Sequence, residues 1–442
     1  MPGTTKRFAI LAAVAAGVLL VAASIVYPLV TGVDVRVHAP PMHADWGPSF
    51  SWRLAMPVVV AVAVLAYWRP LTARLQWPAF LAVTFVTAWA WTFTLAIADE
   101  GRDGLSRLFD RPGEYVKDAV SVNDVGLMMQ EFVSRIPYSS PENWYVHVAG
   151  HPPGALLSFV LFDRLGIKDT FWIGFTVMTI GVTAVVAAAI AVRALAGESW
   201  ARRVAPWWVL WPSAIWMVHA DALFTAVSAW GLALLALSAT TERSGPRVAW
   251  GSGAGLLLGL SVYMSYGLLL LGILALAILF VARKWSPLPW ALLGALAVAA
   301  GFTVAGYAWW EAYPVLVERY SAGIASERPF SYWAWGNFAT LTISAGLAVW
   351  AGLPGAATAL RRREPVAVLI AAALGTVVLA TLTGMSKAEV ERIFLPFTLW
   401  IAMAPAFLPE RWRWQALASQ VVIAIAVQCL LIIPVVQLAR PN

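Results

Sequence analysis

The stretch YVHVAGHPPGALLSFVLFDRLG, from Tyr145 to Gly166, decides how the chain is threaded. It places a histidine and two prolines directly before an apolar run of about twelve residues, 154–165. A membrane-spanning helix needs about 20 apolar residues, so this run is short for a span. A helix that crosses the membrane here and one that lies flat in the interface give opposite orientations to everything that follows.

The composition is that of a membrane protein. Hydrophobic residues make up 61% of the 442 residues and charged residues only 12%, whereas a soluble domain carries about 25% charged residues. The net charge of +7 does not indicate a nucleic-acid partner, because lysine and arginine accumulate in the cytoplasmic loops of membrane proteins. The single cysteine, Cys429, excludes an internal disulfide and CxxC metal sites.

Apolar runs predict an all-α polytopic membrane protein with about thirteen spans, fewer than 20 residues sufficing where neighbouring helices cover a span. Within 249–265, Gly251, Gly255 and Gly259 form a row that predicts close packing against another helix of the bundle. The predicted spans are 8–30, 52–68, 78–98, 171–192, 204–219, 221–240, 249–265, 266–283, 288–310, 337–353, 366–383, 391–408 and 415–438.

The distribution of basic residues predicts the orientation. If 154–165 crossed the membrane, Arg193, Arg202 and Arg203 would face the outside. If it lies in the interface, these three arginines face the cytoplasm with most of the other basic residues, as the positive-inside rule requires. We therefore expect a multi-pass protein of the plasma membrane with a cytoplasmic N-terminus and an extracytoplasmic C-terminus. The other cytoplasmic clusters are then Lys6 with Arg7, Arg69 with Arg74, Arg243 with Arg247, Arg283 with Lys284, Arg361 to Arg363, and Arg411 with Arg413.

The chain is predicted to form one transmembrane domain, 1–442, because no linker, low-complexity tract or repeat divides it. Residues 1–77 supply two spans ahead of the rest of the bundle. The two long polar segments, 99–151 and 311–336, are both predicted to lie outside. The first belongs to an outer loop, 99–165, that should carry interfacial helices.

Asp99 and Glu100 are the predicted catalytic residues. They stand where the third span ends, at the negative end of the helix dipole, a place that disfavours carboxylates. One interpretation is ordinary interfacial polarity. The other is a general base, since desolvation at the membrane edge makes a carboxylate a better proton acceptor.

The His-Pro-Pro turn is the second candidate. Pro152 and Pro153 suit the first turn of a helix, where a missing N–H costs nothing, and Gly154 allows a close approach of backbone. His151 then stands at the positive end of that helix, which suits a phosphate or a polar acceptor group. The alternatives are a structural histidine and, less favoured, a zinc pair of His147 with His151.

Further ionisable residues are predicted on the same outer face. They flank the fifth span, the second outer loop and the segment SKAEVERIFLPF between the eleventh and twelfth spans. Ionisable groups at such depth are costly and usually functional or paired, although long basic side chains also anchor helices at the interface. The predicted donor- or acceptor-binding residues are His151 with His219, Asp221, Arg328, Lys387, Glu389 and Arg392.

Taken together, these motifs resemble the GT-C superfamily of membrane glycosyltransferases. The resemblance lies in an acidic pair after an early span, a long outer loop and a His-Pro-Pro turn, and follows the motif order over 78–240. Protein O-mannosyltransferases have a similar His-Pro-Pro turn and lipid A aminoarabinose transferases a Lys-Pro-Pro turn. The stretch EVERIFLPF is similar to bacterial members, among them actinobacterial envelope enzymes.

The resemblance implies an inverting, mannosyltransferase-like transfer of a hexose or pentose from a polyprenyl-phosphate donor on the extracytoplasmic side. The acceptor would be an envelope glycan, a glycolipid or a protein. Asp99, with Glu100 beside it, would deprotonate the acceptor hydroxyl, and His151 would line the site. Lys387 and Arg392 would hold the donor phosphate. No cofactor is required, no metal ligands are assigned, and a divalent cation is compatible with the chemistry.

The chain departs from this pattern in places. The turn lacks the Leu-Gly-Lys continuation of the mannosyltransferases, and the chain has no Trp-Trp-Asp-Tyr-Gly motif of an oligosaccharyltransferase. The first two spans are not accounted for. The alternatives are a transporter or flippase for a lipid-linked sugar and a non-catalytic protein of envelope assembly. In all three cases we expect contacts with membrane lipids and none with nucleic acid.

Overall fold

The computed structural model describes residues 3–433, and their side chains from Lys6 onward. This part of the chain is almost entirely helical. Its first ten helices are α1 (Gly3–Thr31), α2 (Ala55–Thr72), α3 (Trp77–Ala96), α4 (Asp103–Asp110), α5 (Tyr115–Ser121), α6 (Val125–Glu131), α7 (Val146–Ala149), α8 (Pro153–Arg164), α9 (Thr170–Ala196) and α10 (Glu198–Val209).

Twelve helices follow in the second half, together with one small antiparallel sheet of β1 (Asp45–Trp46) and β2 (Leu431–Ile432). Short 3-10 segments cover Trp52–Leu54, Pro212–Trp216, Tyr266–Leu270 and Ala404–Phe407. The helices are α11 (Asp221–Thr240), α12 (Ser244–Met264), α13 (Leu271–Ala282), α14 (Leu288–Val304), α15 (Trp309–Ala322), α16 (Ile324–Glu327), α17 (Phe330–Ala345), α18 (Ala348–Leu360), α19 (Pro365–Leu382), α20 (Val390–Ile393), α21 (Leu395–Ile401) and α22 (Glu410–Leu430).

The all-helical polytopic membrane fold predicted from the sequence is confirmed. Within residues 3–433, seven helices are long and apolar enough to cross a membrane, namely α1, α2, α3, α9, α11, α19 and α22. The number rises to nine if each of two bent pairs counts as one span, α14 with α15 and α17 with α18. The other segments among the thirteen predicted spans are shorter or less apolar helices.

One predicted span, 337–353, is broken in the structure. Helices α17 and α18 meet at an angle of 102°, and Gly346 between them has φ of 87°. The amide of Gln420 caps the break, because its Nε2 donates to the carbonyl of Ala345 at 2.8 Å and its Oε1 accepts from the N–H of Ala348 at 3.4 Å. The last predicted span, 415–438, ends as a helix at Leu430, and its final five residues lie outside the described part.

Helices α9, α11, α12 and α14 pack side by side in that order. The glycine row of α12 makes the last contact close, as predicted. A Cβ on Gly255 would stand 2.0 Å from the carbonyl oxygen of Ala291, and a Cβ on Gly259 would stand 2.9 Å from the Cα of Ala295. Small side chains thus let these two helices approach backbone to backbone.

The two additional N-terminal helices carry a connecting segment, 32–51, which we call the strap. Helix α1 packs against α17 and α18. The strap accepts hydrogen bonds from the Trp333 indole at Val35 and from the Thr340 hydroxyl at Pro41, and its β1 pairs with β2. It thereby lies over the end of the bundle where α20 and the outer-loop helices meet.

Candidate functional site

A cavity of about 450 Å³ opens at this end of the bundle. Its walls come from distant parts of the chain: the strap, the start of α5, the turn between α7 and α8, the start of α11, helices α15 and α16, and α20 with the loop before it. All seven residues predicted to bind donor or acceptor line it, namely His151, His219, Asp221, Arg328, Lys387, Glu389 and Arg392. Their positions agree with a shared site, and their individual roles stay predictions.

Arg392 stands at the centre of the polar groups. Its Nη1 donates to Asp221 at 3.0 Å, and its Nη2 lies 2.5 Å from Glu389 and 3.3 Å from Nε2 of His147. Asp221 opens α11 and Glu389 precedes α20, so this one guanidinium joins three separate segments. Each of its two terminal nitrogens is occupied by protein partners.

Glu114 and His147 form a second ion pair in the cavity. Glu114, at the N-cap of α5, is 3% exposed, and its Oε1 lies 2.7 Å from Nδ1 of His147. Burial by itself raises the pKa of Glu114, but the charge of His147 and their hydrogen bond outweigh it, so the pKa is lowered overall. Burial likewise opposes the protonated form of His147, yet Glu114 raises its pKa overall. The Glu114 carboxylate is therefore ionised near neutral pH.

Arg328 offers donors that no protein group uses. This arginine is 5% exposed, and only its Nη1 is engaged, by the carbonyl of Lys387 at 2.7 Å and by Glu389 at 3.2 Å. Its Nε and Nη2 have no hydrogen-bond partner among the described residues. Lys387 stands beside it, and burial together with the Arg328 charge lowers the pKa of the lysine. Arg328, with its free guanidinium edge, and the neighbouring Lys387 are therefore suited to binding an anion.

Aromatic side chains make up another wall. Trp309 stacks on Tyr313 with ring centroids 5.3 Å apart, and Tyr266 packs against both rings. The indole N–H groups of Trp309 and Trp216 are buried without an acceptor among the described residues. Aromatic faces with free donors are suited to a ligand that has apolar faces and hydroxyl groups.

The His-Pro-Pro turn is built as the sequence predicts. Helix α7 ends at Ala149, Pro152 is the N-cap of α8 and Pro153 its first residue. A Cβ on Gly154 would stand 2.4 Å from the carbonyl oxygen of Tyr263, so the glycine lets α8 meet α12. His151 lines the cavity, its Nδ1 2.8 Å from the carbonyl of His147. Burial lowers the pKa of His151 to about 4, so the ring is neutral.

Asp99 and Glu100 are the two predicted site residues outside this cavity, and their catalytic role stays a prediction. Neither lines the cavity. The Asp99 carboxylate accepts a hydrogen bond from the Ser49 hydroxyl, and Glu100 pairs with Arg107. Helix α3 ends at Ala96, and the chain then turns away through α4 before Glu114 reaches the cavity.

The cavity also contains charged or titratable residues that were not among the predicted site residues. Among them are Glu114, His43 and Glu391. Glu391 is 3% exposed, its Oε1 accepts from the backbone N–H of His43 at 3.2 Å, and its Oε2 has no partner in the described part of the chain. An acidic residue at a helix start was a usable signal for Glu114. Nothing local marks His43, since only the strap's tertiary position brings it to the cavity.

The residues described contain no group of three or more histidine, cysteine, aspartate or glutamate side chains placed to hold a metal ion. His147 and His151 do not converge on a common point, since the first pairs with Glu114 and Arg392 and the second faces a carbonyl oxygen.

No protein-family model and no curated protein matches the chain. Two solved structures are similar to it. One is apo ArnT from Cupriavidus metallidurans, at 17% sequence identity over 75% of this chain and 59% of that one, with a TM-score of 0.46. The other is the oligosaccharyltransferase of Archaeoglobus fulgidus in complex with zinc and sulfate, at 14% identity over 79% of this chain and 53% of that one, with a TM-score of 0.43. The chain thus spans a little over half the length of each protein.

Proposed function

We propose that the protein is a membrane glycosyltransferase of the GT-C type, which moves a sugar from a lipid-linked phosphate donor to an acceptor hydroxyl. One observation carries the proposal. A single cavity holds an arginine with two unpaired donors, an ionised carboxylate and two unpaired indole N–H groups. These are groups that bind a phosphate, accept a proton and bind sugar hydroxyls.

The donor phosphate binds at Arg328 and Lys387. The free Nε and Nη2 of Arg328 are the edge of a guanidinium that contacts two phosphate oxygens at once. As the bond from the sugar to the phosphate breaks, negative charge develops on the departing oxygen, and two cations fixed beside it stabilise that charge. Arg392, whose nitrogens are already committed to Asp221 and Glu389, acts by holding these carboxylates in place.

Glu114 accepts the proton of the acceptor. The acceptor oxygen attacks the anomeric carbon while the bond from that carbon to the phosphate oxygen breaks, and its electron pair leaves with the phosphate. The hydroxyl proton goes to Glu114, and the anomeric configuration inverts. Glu114 suits this task because His147 keeps it ionised. Asp221 and Glu389 are instead bound to Arg392.

The donor is a polyprenyl-phosphate sugar of the hexose or pentose class, and the acceptor an envelope glycan, glycolipid or protein on the extracytoplasmic side of the plasma membrane. Apolar residues at the cavity mouth support a lipid donor. Leu269 is 58% exposed and Ile324 38% exposed, and both line the cavity. A polyprenyl chain can leave the cavity along such residues into the bilayer.

The test is consumption of lipid-linked sugar by the purified protein. Decaprenyl- or undecaprenyl-phosphate mannose, arabinose and glucose are supplied in turn, with release of polyprenyl phosphate as the readout. Glu114→Gln lowers kcat by about 100-fold or more, the range expected for loss of a general base. Asp99→Asn is the matched control, an outer-loop carboxylate outside the cavity, and it keeps near wild-type activity.

Loss of activity in Asp99→Asn but not in Glu114→Gln would identify Asp99 as the base, as predicted from the sequence. Wild-type protein that consumes none of these donors, yet carries a lipid-linked sugar across a vesicle membrane, would replace the transferase with a flippase.

A further inference from the structure

A second cavity, of about 550 Å³, lies at the opposite end of the bundle. It is lined by the beginning of α1, by α10, by the end of α18 and by the segment that leads into α22. Arg413, near the start of α22, lines this cavity, and Ile433, just beyond its end, lines the first. A 21-residue helix is about 30 Å long, so the two cavities face opposite sides of the membrane.

The charges in this cavity are not balanced. Four cations line it, Lys6, Arg203, Arg362 and Arg413, against one carboxylate, Glu364. None of these five forms an ion pair with a residue that the structure describes. Like charges that line one cavity repel each other unless an anion joins them.

Protein contacts hold two of the cations in place. The guanidinium of Arg203 lies 4.6 Å from the ring centre of Trp200, which itself packs on Phe407 at 4.9 Å. Nε of Arg413 donates to the carbonyl of Leu408 at 2.9 Å. The other guanidinium nitrogens of both arginines have no hydrogen-bond partner in the described chain, so they are available to an anion.

The rest of the lining is apolar and continues into the membrane-facing side of α1. Ile10 and Leu408 line the cavity and are 8% and 2% exposed. Phe8 and Leu11, their neighbours on α1, are 75% and 56% exposed. An apolar path thus leads from the basic cavity to the bilayer.

We propose that this cavity binds the phosphate headgroup of an anionic phospholipid, whose acyl chains lie along α1. A phosphate satisfies the unpaired guanidinium donors, and the apolar path accommodates chains that a soluble phosphate compound lacks. The positive-inside rule explains basic residues on this face but not their collection in one cavity: Arg74 and Arg361, on the same predicted face, do not line it. Basic pockets between helices on the cytoplasmic side are suited to anionic lipid headgroups.

The experiment is native mass spectrometry of the full-length protein in detergent, titrated with three probes. These are a phosphatidylglycerol, a phosphatidylcholine with the same acyl chains, and glycerol 3-phosphate. One phosphatidylglycerol binds about tenfold or more tighter than phosphatidylcholine. Arg203→Gln with Arg362→Gln weakens its binding about 30-fold, the value for loss of two cationic contacts.

The matched control is Arg74→Gln with Arg361→Gln, which removes two positive charges from the same face and leaves phosphatidylglycerol binding unchanged. The single variant Arg362→Glu should also lose phosphatidylglycerol binding. Because the Arg362 side chain is exposed, this loss would not come from a disrupted protein core. Equal weakening in the control pair would overturn the proposal, because general surface charge would then account for binding. Glycerol 3-phosphate that binds as tightly as the lipid would overturn it in favour of a soluble ligand.

Discussion

At the scale of single residues, the cavity depends on how its few charges are paired. Asp221 and Glu389 are committed to Arg392, and Glu114 to His147, whereas Arg328 keeps two unpaired donors. The committed charges fix the geometry, and the uncommitted ones are left for a ligand. A buried donor left without an acceptor costs about 1–3 kcal/mol, which is a reason to expect that an anion contacts the free edge of Arg328.

The Glu114–His147 pair predicts a pH dependence of stability. The folded pKa of His147 is raised above its ordinary 6.5, so its contribution is complete below pH 6.5 and is lost as the pH rises through the folded pKa. The melting temperature should therefore fall as the pH rises from 6.5 through the folded pKa of His147. In His147→Gln this fall should be reduced, as measured by thermal unfolding in detergent.

Other groups in the cavity titrate in different windows. Burial lowers the pKa of His43 and of His151. Both therefore destabilise the folded protein only as the pH falls below 6.5. The pKa of Glu114 is lowered, so its contribution to the stability of the folded protein is lost only below pH 4.5. An unchanged alkaline slope in His147→Gln would show that the dependence has another origin.

At the scale of elements, the strap and the broken span decide the shape of the end of the bundle where the first cavity opens. The first two spans were unexplained by the sequence. In the structure they carry the strap, whose His43 donates its backbone N–H to Glu391 and lines the cavity. The break at Gly346 separates α17 from α18 and lets α17 pack beside α20.

Gly346→Ala should destabilise the protein. Alanine disfavours the φ of 87°, and its Cβ would stand 1.8 Å from Oε1 of Gln420. The expected loss is about 2–4 kcal/mol, from the left-handed backbone and from the displaced cap. Thermal unfolding measures it.

Gly375→Ala is the matched control, since it lies inside α19 with no atom within 4 Å of the added Cβ. That variant should be unchanged or more stable by about 0.5–1 kcal/mol, because alanine is the better helix former. A Gly346→Ala variant as stable as the wild type would mean that the break is not fixed by this glycine.

At the scale of the whole molecule, the two cavities give the bundle two chemically different ends. One end holds balanced acids and bases with aromatic walls, and the other mostly unpaired cations. The predicted orientation puts the first outside and the second in the cytoplasm.

Cysteine labelling tests this orientation. Cys429 is 6% exposed, and Cys429→Ala gives a background without thiols. In that background Glu142→Cys, in the outer loop, should react with an impermeant maleimide in intact cells. Arg361→Cys, at the opposite end, should react only after permeabilisation. Both side chains are exposed, so labelling of both from one side would contradict the arrangement.

The sequence by itself determined the class of the protein and predicted many of the charged residues that line the first cavity. Apolar runs about as long as a bilayer is thick leave no other fold class than a helical bundle. Ionisable residues at helix ends are costly enough to mark a site, and all seven that were predicted to bind donor or acceptor line one cavity. The His-Pro-Pro turn is likewise readable, because proline and glycine constrain the backbone locally.

Only the tertiary structure decided which carboxylate of the outer loop lines the same cavity as Arg328 and Lys387. Asp99 and Glu114 lie in the same loop. The sequence favoured Asp99 as the base because it stands at the end of the third predicted span. The path of α4 and the contact of α5 with α8 bring Glu114 to the cavity instead. Contacts between residues as far apart in sequence as His43 and Glu391 depend on how helices pack, and packing is a property of several segments together that no local pattern contains.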